Sequence, residues 1–332
     1  MANATSDLAR ILRSRLRLRH FVLLEALAQH RSVSRAARAL GIAQPTLTRA
    51  LREIEAICSQ PLFARHAKGL TPTAAGCIVL ERAPAILRDV DGMAREIELS
   101  QAGFLGGLRI GIIPFVSPGL LHAAIEQSLH GGPRTALLIR EEATDELRHA
   151  LQAGELDCAI ARFSYRGAPA DIEQQVLYHQ APILVAHRAT AARLARRSFS
   201  WKLVADLDWI LPPATTPTRA TIDAVFIGAG LPPPVAAVET YSLKTIEYLL
   251  ASQPGMLTLL PAEIGRDLAS HRSIGVLPWK LDWELPPVSM LSRPDHPRRP
   301  AIETLAEALR RTASARADAR PSARPAAPQP GA

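Results

Sequence analysis

The feature that most restricts the fold is a pair of short helical patterns joined by a tight glycine turn near the N-terminus. Apolar residues recur at helical spacing from Leu18 to Ala28, and a second pattern runs from Val33 to Leu40 behind a capping serine, Ser32. Gly41 ends this pattern, and a third helix is predicted to begin at Gln44-Pro45 because proline fits the first turn of a helix. This order predicts a helix-turn-helix, whose second helix enters the major groove of DNA.

The third predicted helix has one apolar and one polar face. Leu47, Leu51 and Ile54 repeat at core spacing, and the residues between them are polar. Arginine and glutamine can pair with base edges, and hydroxyl groups can bind phosphates. The predicted DNA contacts are therefore Ser34, Gln44, Thr46, Thr48, Arg49 and Arg52. The alternative for any one of them is an ordinary solvated helix position.

A basic segment follows the third helix. Pro61-Leu62-Phe63 is predicted to anchor a short strand, and Arg65, His66 and Lys68 flank a turn at Gly69. A basic hairpin beside a recognition helix is typical of a wing that touches the phosphate backbone or the minor groove. Residues 1–72 carry twelve Lys and Arg against four Asp and Glu, a net +8, whereas residues 73–310 carry 23 against 26, a net −3. This asymmetry favours nucleic-acid binding by the N-terminal part, the alternative being a solubilising basic face.

From Phe21 to Gly76, the run FVLLEALAQHRSVSRAARALGIAQPTLTRALREIEAICSQPLFARHAKGLTPTAAG resembles the winged helix-turn-helix of the LysR-type transcriptional regulators. The matching features are Ala36-Ala37, the Gln44-Pro45 start, Leu62-Phe63-x-Arg65 and the Thr73-x-x-Gly76 close. The resemblance implies groove and phosphate contacts by Gln44, Pro45, Thr46, Thr48 and Arg49, with Arg65 and Lys68 on the wing. One departure is Ile57-Cys58-Ser59, where the family is usually more polar, and this leaves the path from helix to wing open.

A long helix beyond the wing is predicted to pair with a second copy of itself. Its apolar residues are spaced alternately by four and three, as in a coiled-coil seam: Val79, Ala83, Ile86, Val90, Met93 and Ile97. The alternative is a helix packed on its own body. Pro84 predicts a kink or a break, and Gly103 and Gly106-Gly107 predict a flexible hinge. The resemblance implies a dimer, and tetramers are usual in the family.

From Leu108 onward, apolar strand patterns alternate with helical patterns in two series. The first contains LRIGII, TALLIR and DCAIA, and the second contains PILVAH, DWILPP, VAAVET, MLTLLP and SIGVLP. The alternation predicts two α/β lobes, each a parallel sheet with helices on both faces, and a ligand cleft where strands end and helices begin. The order resembles the two-lobed, periplasmic-binding-protein-like effector domain of the same family, and ALQAGELDCAIAR resembles its Gly-x-x-Asp strand start.

The candidate cleft residues follow the predicted strands or begin the predicted helices. They are Phe115, Ser117, Thr144 and Arg162 in the first lobe, and Thr215, Thr216, Tyr241 and Ser242 in the second. Hydroxyls and free amides at helix starts can hold an organic anion, and Arg162 can add a bidentate clamp. The alternatives are helix capping for the hydroxyls and a structural ion pair of Arg162 with Glu141 or Glu142.

The sequence contains no pattern typical of catalysis or metal binding. It lacks Gly-x-Ser-x-Gly, His-Glu-x-x-His and a phosphate loop. Three cysteines, Cys58, Cys77 and Cys158, are too scattered for a disulfide framework or a zinc site and are predicted to be buried. Neither a membrane span nor a signal peptide is apparent, so we predict a cytoplasmic, nucleoid-associated protein without a cofactor.

The predicted fold class is α/β overall, with four regions along the chain. These are a winged helix-turn-helix over 1–73, a dimerising linker helix over 74–102, a two-lobed effector domain over 103–312 and a disordered basic tail over 313–332. The predicted function is sequence-specific regulation of transcription, with promoter DNA, further copies of the chain, a small organic anion and RNA polymerase as partners. Two alternatives are a catalytic α/β body regulated by the N-terminal module and an architectural DNA-binding protein without a ligand.

Overall fold

The computed structural model describes residues 2–66, 69–162, 171–270 and 272–318. The chain divides into two compact units, of which the first ends at Glu98 and the second begins at Leu99. Among the described helices, none is long and apolar enough to cross a membrane. Within the same residues, no group of three or more His, Cys, Asp or Glu side chains could hold a metal ion.

The N-terminal unit consists of helices and one small hairpin. Its elements in chain order are α1 (Ala2–Arg15), α2 (Leu18–His30), α3 (Val33–Ala39), α4 (Gln44–Cys58), β1 (Phe63–His66), β2 (Gly69–Pro72) and α5 (Ala74–Gln101). Helices α2 to α4 with the antiparallel pair β1–β2 confirm the predicted winged helix-turn-helix. Helix α1 was not predicted.

The turn between α3 and α4 is determined by local chemistry. The Ser32 hydroxyl accepts a hydrogen bond from the Arg35 backbone amide at 3.4 Å and caps α3 as predicted. Gly41 has a φ of +66°, a left-handed conformation that glycine adopts without a Cβ penalty. Ala36 and Ala37 are buried and small, which lets α3 cross close to its neighbours.

Helix α5 is continuous from Ala74 to Gln101 and passes through Pro84. The predicted break at Pro84 does not occur, because a proline removes only one backbone hydrogen bond from a long helix. The late residues of the predicted seam are exposed within one chain: Met93 is 57% exposed and Ile97 is 55% exposed.

The connection that follows α5 makes backbone hydrogen bonds to the chain before β4. Gly103 and Gly106 have positive φ angles of +81° and +123°, as a tight connection requires. The Leu105 amide donates to the Arg134 carbonyl at 2.8 Å, and the Ala136 amide donates to the Gly106 carbonyl at 3.0 Å. Leu105 and Gly106 are therefore paired with the chain before β4, and the flexibility of the predicted hinge stays a prediction.

The C-terminal unit contains two five-stranded sheets, which we call lobe 1 and lobe 2. Lobe 1 has the strand order β4-β3-β5-β12-β6 and lobe 2 has the order β11-β7-β10-β8-β9. The strands are β3 (Gly107–Ile112), β4 (Ala136–Glu141), β5 (Cys158–Arg162), β6 (Glu173–Tyr178), β7 (Pro182–His187), β8 (Asp208–Leu211), β9 (Ala236–Glu239), β10 (Met256–Pro261), β11 (Ile274–Val276) and β12 (Val288–Ser292). The helices are α6 (Pro118–His130), α7 (Thr144–Gln152), α8 (Arg188–Leu194), α9 (Trp201–Ala205), α10 (Pro217–Gly228), α11 (Leu243–Ser252), α12 (Ala262–Leu268) and α13 (Arg299–Asp318).

Both sheets are mixed, whereas the sequence predicted parallel sheets. Strand β3 is parallel to β4 and β5, but β12 is antiparallel to β5 and β6. In lobe 2, β10 is parallel to β8 and antiparallel to β7. The reason is that the chain crosses to lobe 2 after β6 and returns before β12. We call residues 179–181 and 285–287, where the two crossings meet, the crossover segments; the Leu285 amide donates to the Gln180 carbonyl at 3.1 Å.

A buried carboxylate joins three parts of lobe 1. Asp157, whose side chain is 1% exposed, accepts hydrogen bonds from Arg109 Nη2 at 2.6 Å, Arg298 Nη1 at 2.9 Å and His296 Nε2 at 3.3 Å. Burial, the largest single influence, acts to raise the pKa of Asp157, but the hydrogen bonds from His296 and Arg109 outweigh it and the pKa is lowered.

Helix α13 continues to Asp318, so the predicted start of a disordered tail at 313 is too early. The Ala-rich segment before Asp318 has a high helix propensity that its arginines do not oppose. Residues 319–332, the rest of the predicted tail, lie outside the described residues.

The three cysteines occupy three different environments. Cys158 is buried in β5, Cys58 is half-buried and Cys77 is exposed on α5. The prediction that all are buried is therefore wrong for Cys77, which lies on the solvent side of an amphipathic helix.

Candidate nucleic-acid interface and candidate ligand cleft

Most side chains predicted to contact DNA are exposed on α3, α4 and β1. Thr48 is half-buried, and the exposed ones are Ser34, Gln44, Pro45, Thr46, Arg49, Arg52 and Arg65. In the part of the chain that the structure describes, Arg49, Arg52 and Arg65 make no ion pair. Their guanidinium groups can therefore meet phosphate or base edges without first breaking an internal contact. Lys68 lies outside the described residues.

The first turn of α4 is linked to α3 through side chains. The Ser34 hydroxyl donates to Gln44 Oε1 at 2.9 Å, which holds the Gln44 side chain at the start of α4. The Thr48 hydroxyl donates to the Gln44 backbone carbonyl at 3.0 Å and so is engaged with its own helix. Gln44 thus combines an oriented amide with an exposed position, the arrangement that base-edge recognition requires.

The predicted wing is attached to the end of α2. Arg65 in β1 lies opposite Leu70 in β2, and the Leu70 amide donates to the Arg31 carbonyl at 2.9 Å. Gly69 has a φ of +125°, and a Cβ at this position would collide with the same Arg31 carbonyl oxygen. The hairpin therefore needs glycine at 69 both for its backbone conformation and for its close approach to α2.

The connection from α4 to the wing depends on Glu55, which the sequence analysis missed. Helix α4 ends at Cys58, and the residue that caps it, Ser59, has a φ of +54°. One carboxylate oxygen of Glu55, Oε1, accepts the backbone amide of Leu62 at 2.9 Å and that of Phe63 at 3.3 Å. A lone glutamate on a helix is typical of a solvated position, so no local pattern indicated this role.

The Thr73-x-x-Gly76 close fixes the start of α5. The Thr73 hydroxyl donates to the Pro61 carbonyl at 2.7 Å and accepts the Gly76 amide at 3.1 Å. A Cβ at Gly76 would overlap the Leu62 carbonyl oxygen. Threonine and glycine at these two positions therefore allow the first turn of α5 to pack closely against Leu62, the residue before β1.

A pocket lies between the two lobes of the C-terminal unit. Its lining includes Phe115 and Arg162 from lobe 1 and Thr218, Thr240 and Thr258 from lobe 2. Phe115 and Arg162 were predicted cleft residues, and the three threonines were not.

Arg162 is the charged group of this pocket. It is 3% exposed, Nη1 donates to the Pro286 carbonyl at 2.9 Å, and Nη2 donates to Oε1 of Gln180. Burial lowers the pKa of Arg162 to about 10. Among the described residues it has no carboxylate partner, and the predicted alternative of an ion pair with Glu141 or Glu142 is not found, since Glu142 pairs with Arg140 at 3.0 Å.

None of the other candidate hydroxyl residues lines the pocket. Thr144 is buried, and its hydroxyl donates to the Arg162 carbonyl at 3.3 Å. The backbone amide of the buried Ser117 donates to the Tyr178 hydroxyl at 3.4 Å. Thr216 and Ser242 accept the amides of Arg219 and Thr245 and cap α10 and α11. Thr215 is exposed and Tyr241 is half-buried, and neither lines the pocket.

Gln180, which was not predicted, is the buried polar residue that accepts a hydrogen bond from the pocket residue Arg162. It is 5% exposed, and its Nε2 atom has no hydrogen-bond partner within the described ranges. It lies on a crossover segment, away from the strand ends and helix starts that the sequence patterns mark. Only the folded chain brings it to Arg162.

Two family models match the chain. One described as "LysR substrate binding domain" matches residues 101–314. The other, described as "Bacterial regulatory helix-turn-helix protein, lysR family", matches residues 18–77.

Individual proteins show the same likeness over nearly the whole chain. The HTH-type transcriptional regulator GbpR of Azospirillum brasilense is 26% identical over 90% of this chain and 87% of its own length. A full-length OxyR variant from Pseudomonas aeruginosa is 27% identical, with a TM-score of 0.55 over 89% of this chain and 95% of that one. The structure of CbnR complexed with its target DNA has a TM-score of 0.64 over 90% of this chain and 100% of that one, and at 22% identity this likeness is one of fold.

Proposed function

The chain belongs to the LysR family of bacterial transcriptional regulators, and on that premise we propose that it binds promoter DNA as a homo-oligomer whose geometry responds to an organic anion held between its lobes. As a regulator of promoters it would act in the cytoplasm at the nucleoid, next to RNA polymerase. The observation that carries the ligand class is Arg162, a buried guanidinium surrounded by neutral groups.

An arginine buried without a carboxylate is costly, because the charge loses its hydration and neutral acceptors restore only part of it. Residues 163–170, which follow Arg162 and lie outside the described ranges, contain no Asp or Glu in their sequence. An anionic ligand would offset this cost, and carboxylates pair well with a guanidinium fork. The unpaired Nε2 of Gln180 supplies a further donor for the same anion.

The position of Arg162 links anion binding to the angle between the lobes. Its side chain extends from the end of β5 and contacts Gln180 and Pro286, one on each crossover segment. An anion that takes over donors of Arg162 would change the contacts that both crossover segments make. The ligand would thereby shift the population of lobe arrangements, because it binds one arrangement more tightly than the other.

The threonines of lobe 2 favour a ligand that carries polar groups besides its anionic end. Thr218, Thr240 and Thr258 line the pocket on the side opposite Arg162. The Thr258 hydroxyl is already bonded to the Ile210 carbonyl at 2.8 Å, which leaves the other two as the better candidates for ligand contacts. Phe115 adds an apolar wall, so the lining favours hydroxylated or aromatic carboxylic acids. The cavity volume of about 10 Å³ holds about one water, so such a ligand requires the lobes to open further.

The ligand proposal is tested by a thermal-shift panel on the full chain. All four tryptophans lie between residues 201 and 283 in lobe 2, so their fluorescence follows the C-terminal unit. We expect particular carboxylic acids to raise the melting temperature with concentration, while the amide of the same acid does not. Equal shifts by acid and amide would contradict an anion site, and no shift by any acid would favour the architectural alternative.

Gln180→Glu is the decisive variant because it places a carboxylate beside Arg162 at nearly constant volume. The variant should fold with at least wild-type stability and lose the response to the acid, since its own carboxylate occupies Arg162. Thr215→Val is the matched control: Thr215 is exposed and away from the pocket, so its response should equal that of the wild type. A Gln180→Glu protein that still responds fully would overturn the role of Arg162.

The DNA proposal rests on the exposed, unpaired arginines of α4. Arg49 lies opposite the buried Leu47, Leu51 and Ile54, and Arg49→Ala should reduce specific operator affinity by about 10- to 100-fold, the cost of one lost base contact. The melting temperature should stay unchanged, because Arg49 has no internal partner among the described residues. An operator affinity within twofold of wild type would show that the recognition helix has been assigned wrongly.

A further inference from the structure

We propose that helix α1 is a second DNA-contacting element, which extends the interface from the major groove to the flanking phosphates. The helix and the residues up to Arg17 precede residue 18, where the match to the helix-turn-helix model begins. Residues 2–17 are therefore not part of the helix-turn-helix to which the family description assigns DNA binding.

The first observation is the density of positive charge. Residues 10–19 carry five exposed arginines: Arg10, Arg13, Arg15, Arg17 and Arg19. Asp7 pairs with Arg10 at 2.5 Å, and the other four make no ion pair within the residues that the structure describes. Glu53 of α4 places a negative charge near the start of α2: burial lowers the pKa of His20, Glu53 acts to raise it, and Arg19 and Arg17 lower it further. One carboxylate does not neutralise this cluster.

The second observation is the position of α1. It packs against α4, the helix that carries Arg49 and Arg52. Leu16 joins the core of the N-terminal unit, and Ile11 and Leu12 are half-buried. Among the side chains of α1 that the structure describes, Leu8 is the large apolar one that is exposed, at 43%. One such residue falls short of the free apolar face that insertion into a lipid surface needs.

Geometry then assigns the partner. The major groove is about 12 Å wide and a helix with its side chains is about 10 Å across, so a helix in the groove fills it. A second helix packed on its flank lies above a sugar-phosphate backbone rather than in the groove. Exposed arginines at that position meet phosphates, and such contacts add affinity without reading sequence.

The test is the salt dependence of binding to a duplex of about four helical turns of arbitrary sequence, with the full chain. The variant is Arg13→Gln, Arg15→Gln and Arg17→Gln combined, since glutamine keeps helix propensity. The plot of log affinity against log salt should become shallower by about 0.9 for each phosphate contact that is lost. The control combines Arg193→Gln, Arg196→Gln and Arg197→Gln, which removes the same charge from exposed positions in lobe 2.

The variant that combines Arg13→Lys, Arg15→Lys and Arg17→Lys separates the effect of charge from that of structure. Lysine keeps the charge, so this variant should keep most of the salt dependence that the glutamine variant loses. If the arginines acted only through the structure of α1, the lysine variant would lose the salt dependence as well. Equal slopes for the glutamine variant and the lobe 2 control would overturn the proposal. An unchanged DNA slope with lost binding to phosphatidylserine vesicles would also overturn it, in favour of a membrane partner.

Discussion

The proposed nucleic-acid interface and the proposed ligand cleft of this regulator place their cationic groups in opposite environments. The nucleic-acid interface uses exposed residues that are close in sequence, from Ser34 to Arg65, on one small unit. The cleft uses a buried arginine whose partners lie 18 and 124 residues away along the chain. The exposed cations cost the fold almost nothing, because water solvates them until DNA arrives. The buried cation has lost that solvation before any ligand binds, so its stability depends on the neutral groups around it.

This comparison predicts that charge substitutions damage the C-terminal unit far more than the N-terminal unit. The largest expected effect is that of Asp157→Asn, which leaves Arg109 and Arg298 without their carboxylate. We expect a loss of about 3–5 kcal/mol in the free energy of unfolding of lobe 1. Faster hydrogen exchange in residues 107–112 and 158–162 would report it. Glu303→Ala is the control, because Glu303 forms an exposed pair with Arg299 and should cost at most about 1 kcal/mol.

In the N-terminal unit the critical constraint is space rather than charge. Gly76→Ala would force a Cβ against the Leu62 carbonyl, and we expect it to cost about 1–3 kcal/mol. Gly92→Ala, in the same helix but with no atom within 4 Å of the added Cβ, should instead stabilise α5 by about 0.5–1 kcal/mol. Denaturant unfolding followed by circular dichroism compares the two. If both substitutions changed the free energy of unfolding in the same direction, this would contradict the close contact between Gly76 and Leu62.

The exposed seam of α5 gives a test at the level of assembly. Ile97→Asp should raise the dissociation constant of the dimer at least about tenfold, which is about 1.4 kcal/mol. Light scattering over a range of concentrations measures it. The control is Ile78→Asp on the same helix, where the side chain is 65% exposed but lies outside the seam. A dimer that is equally weakened by both substitutions, or by neither, would contradict pairing through this seam.

The smallest effect concerns the pH dependence of the same buried carboxylate. The pKa of Asp157 is lower in the folded protein than its ordinary value near 3.9, so its contribution to stability is complete above that value and is lost as the pH falls through the lower folded value. The difference in unfolding free energy between wild type and Asp157→Asn should therefore shrink below about pH 4, by at most about 1.4 kcal/mol per pH unit. A difference that is independent of pH down to 3 would argue against the ionised state.

Local patterns in the sequence predicted most of the elements but not the directions of the strands. The helix-turn-helix, the seam of α5 and the apolar strands from β3 to β11 carry periodicity or capping signals within a few residues. Strands β6 and β12 carry weaker signals, since Glu173–Tyr178 is largely polar and Val288–Ser292 is short. Missing these two strands led to the wrong prediction for lobe 1. In lobe 2 both β7 and β10 were predicted, but their antiparallel directions follow from the crossing between the lobes, which no local pattern marks.

The sequence by itself determined the winged helix-turn-helix of the N-terminal unit. Its capping serine, its glycine turn and the alternation of apolar and polar residues on α4 act over distances of a few residues along the chain. For the cleft it located Phe115 and Arg162 at strand ends, but it also proposed Thr216 and Ser242, which cap helices. Only the tertiary structure decided that Arg162 faces Gln180 and Pro286, and that Asp157 meets Arg298 across 141 residues. Burial and pairing between distant segments depend on the packing of whole lobes, and no local spacing records that packing.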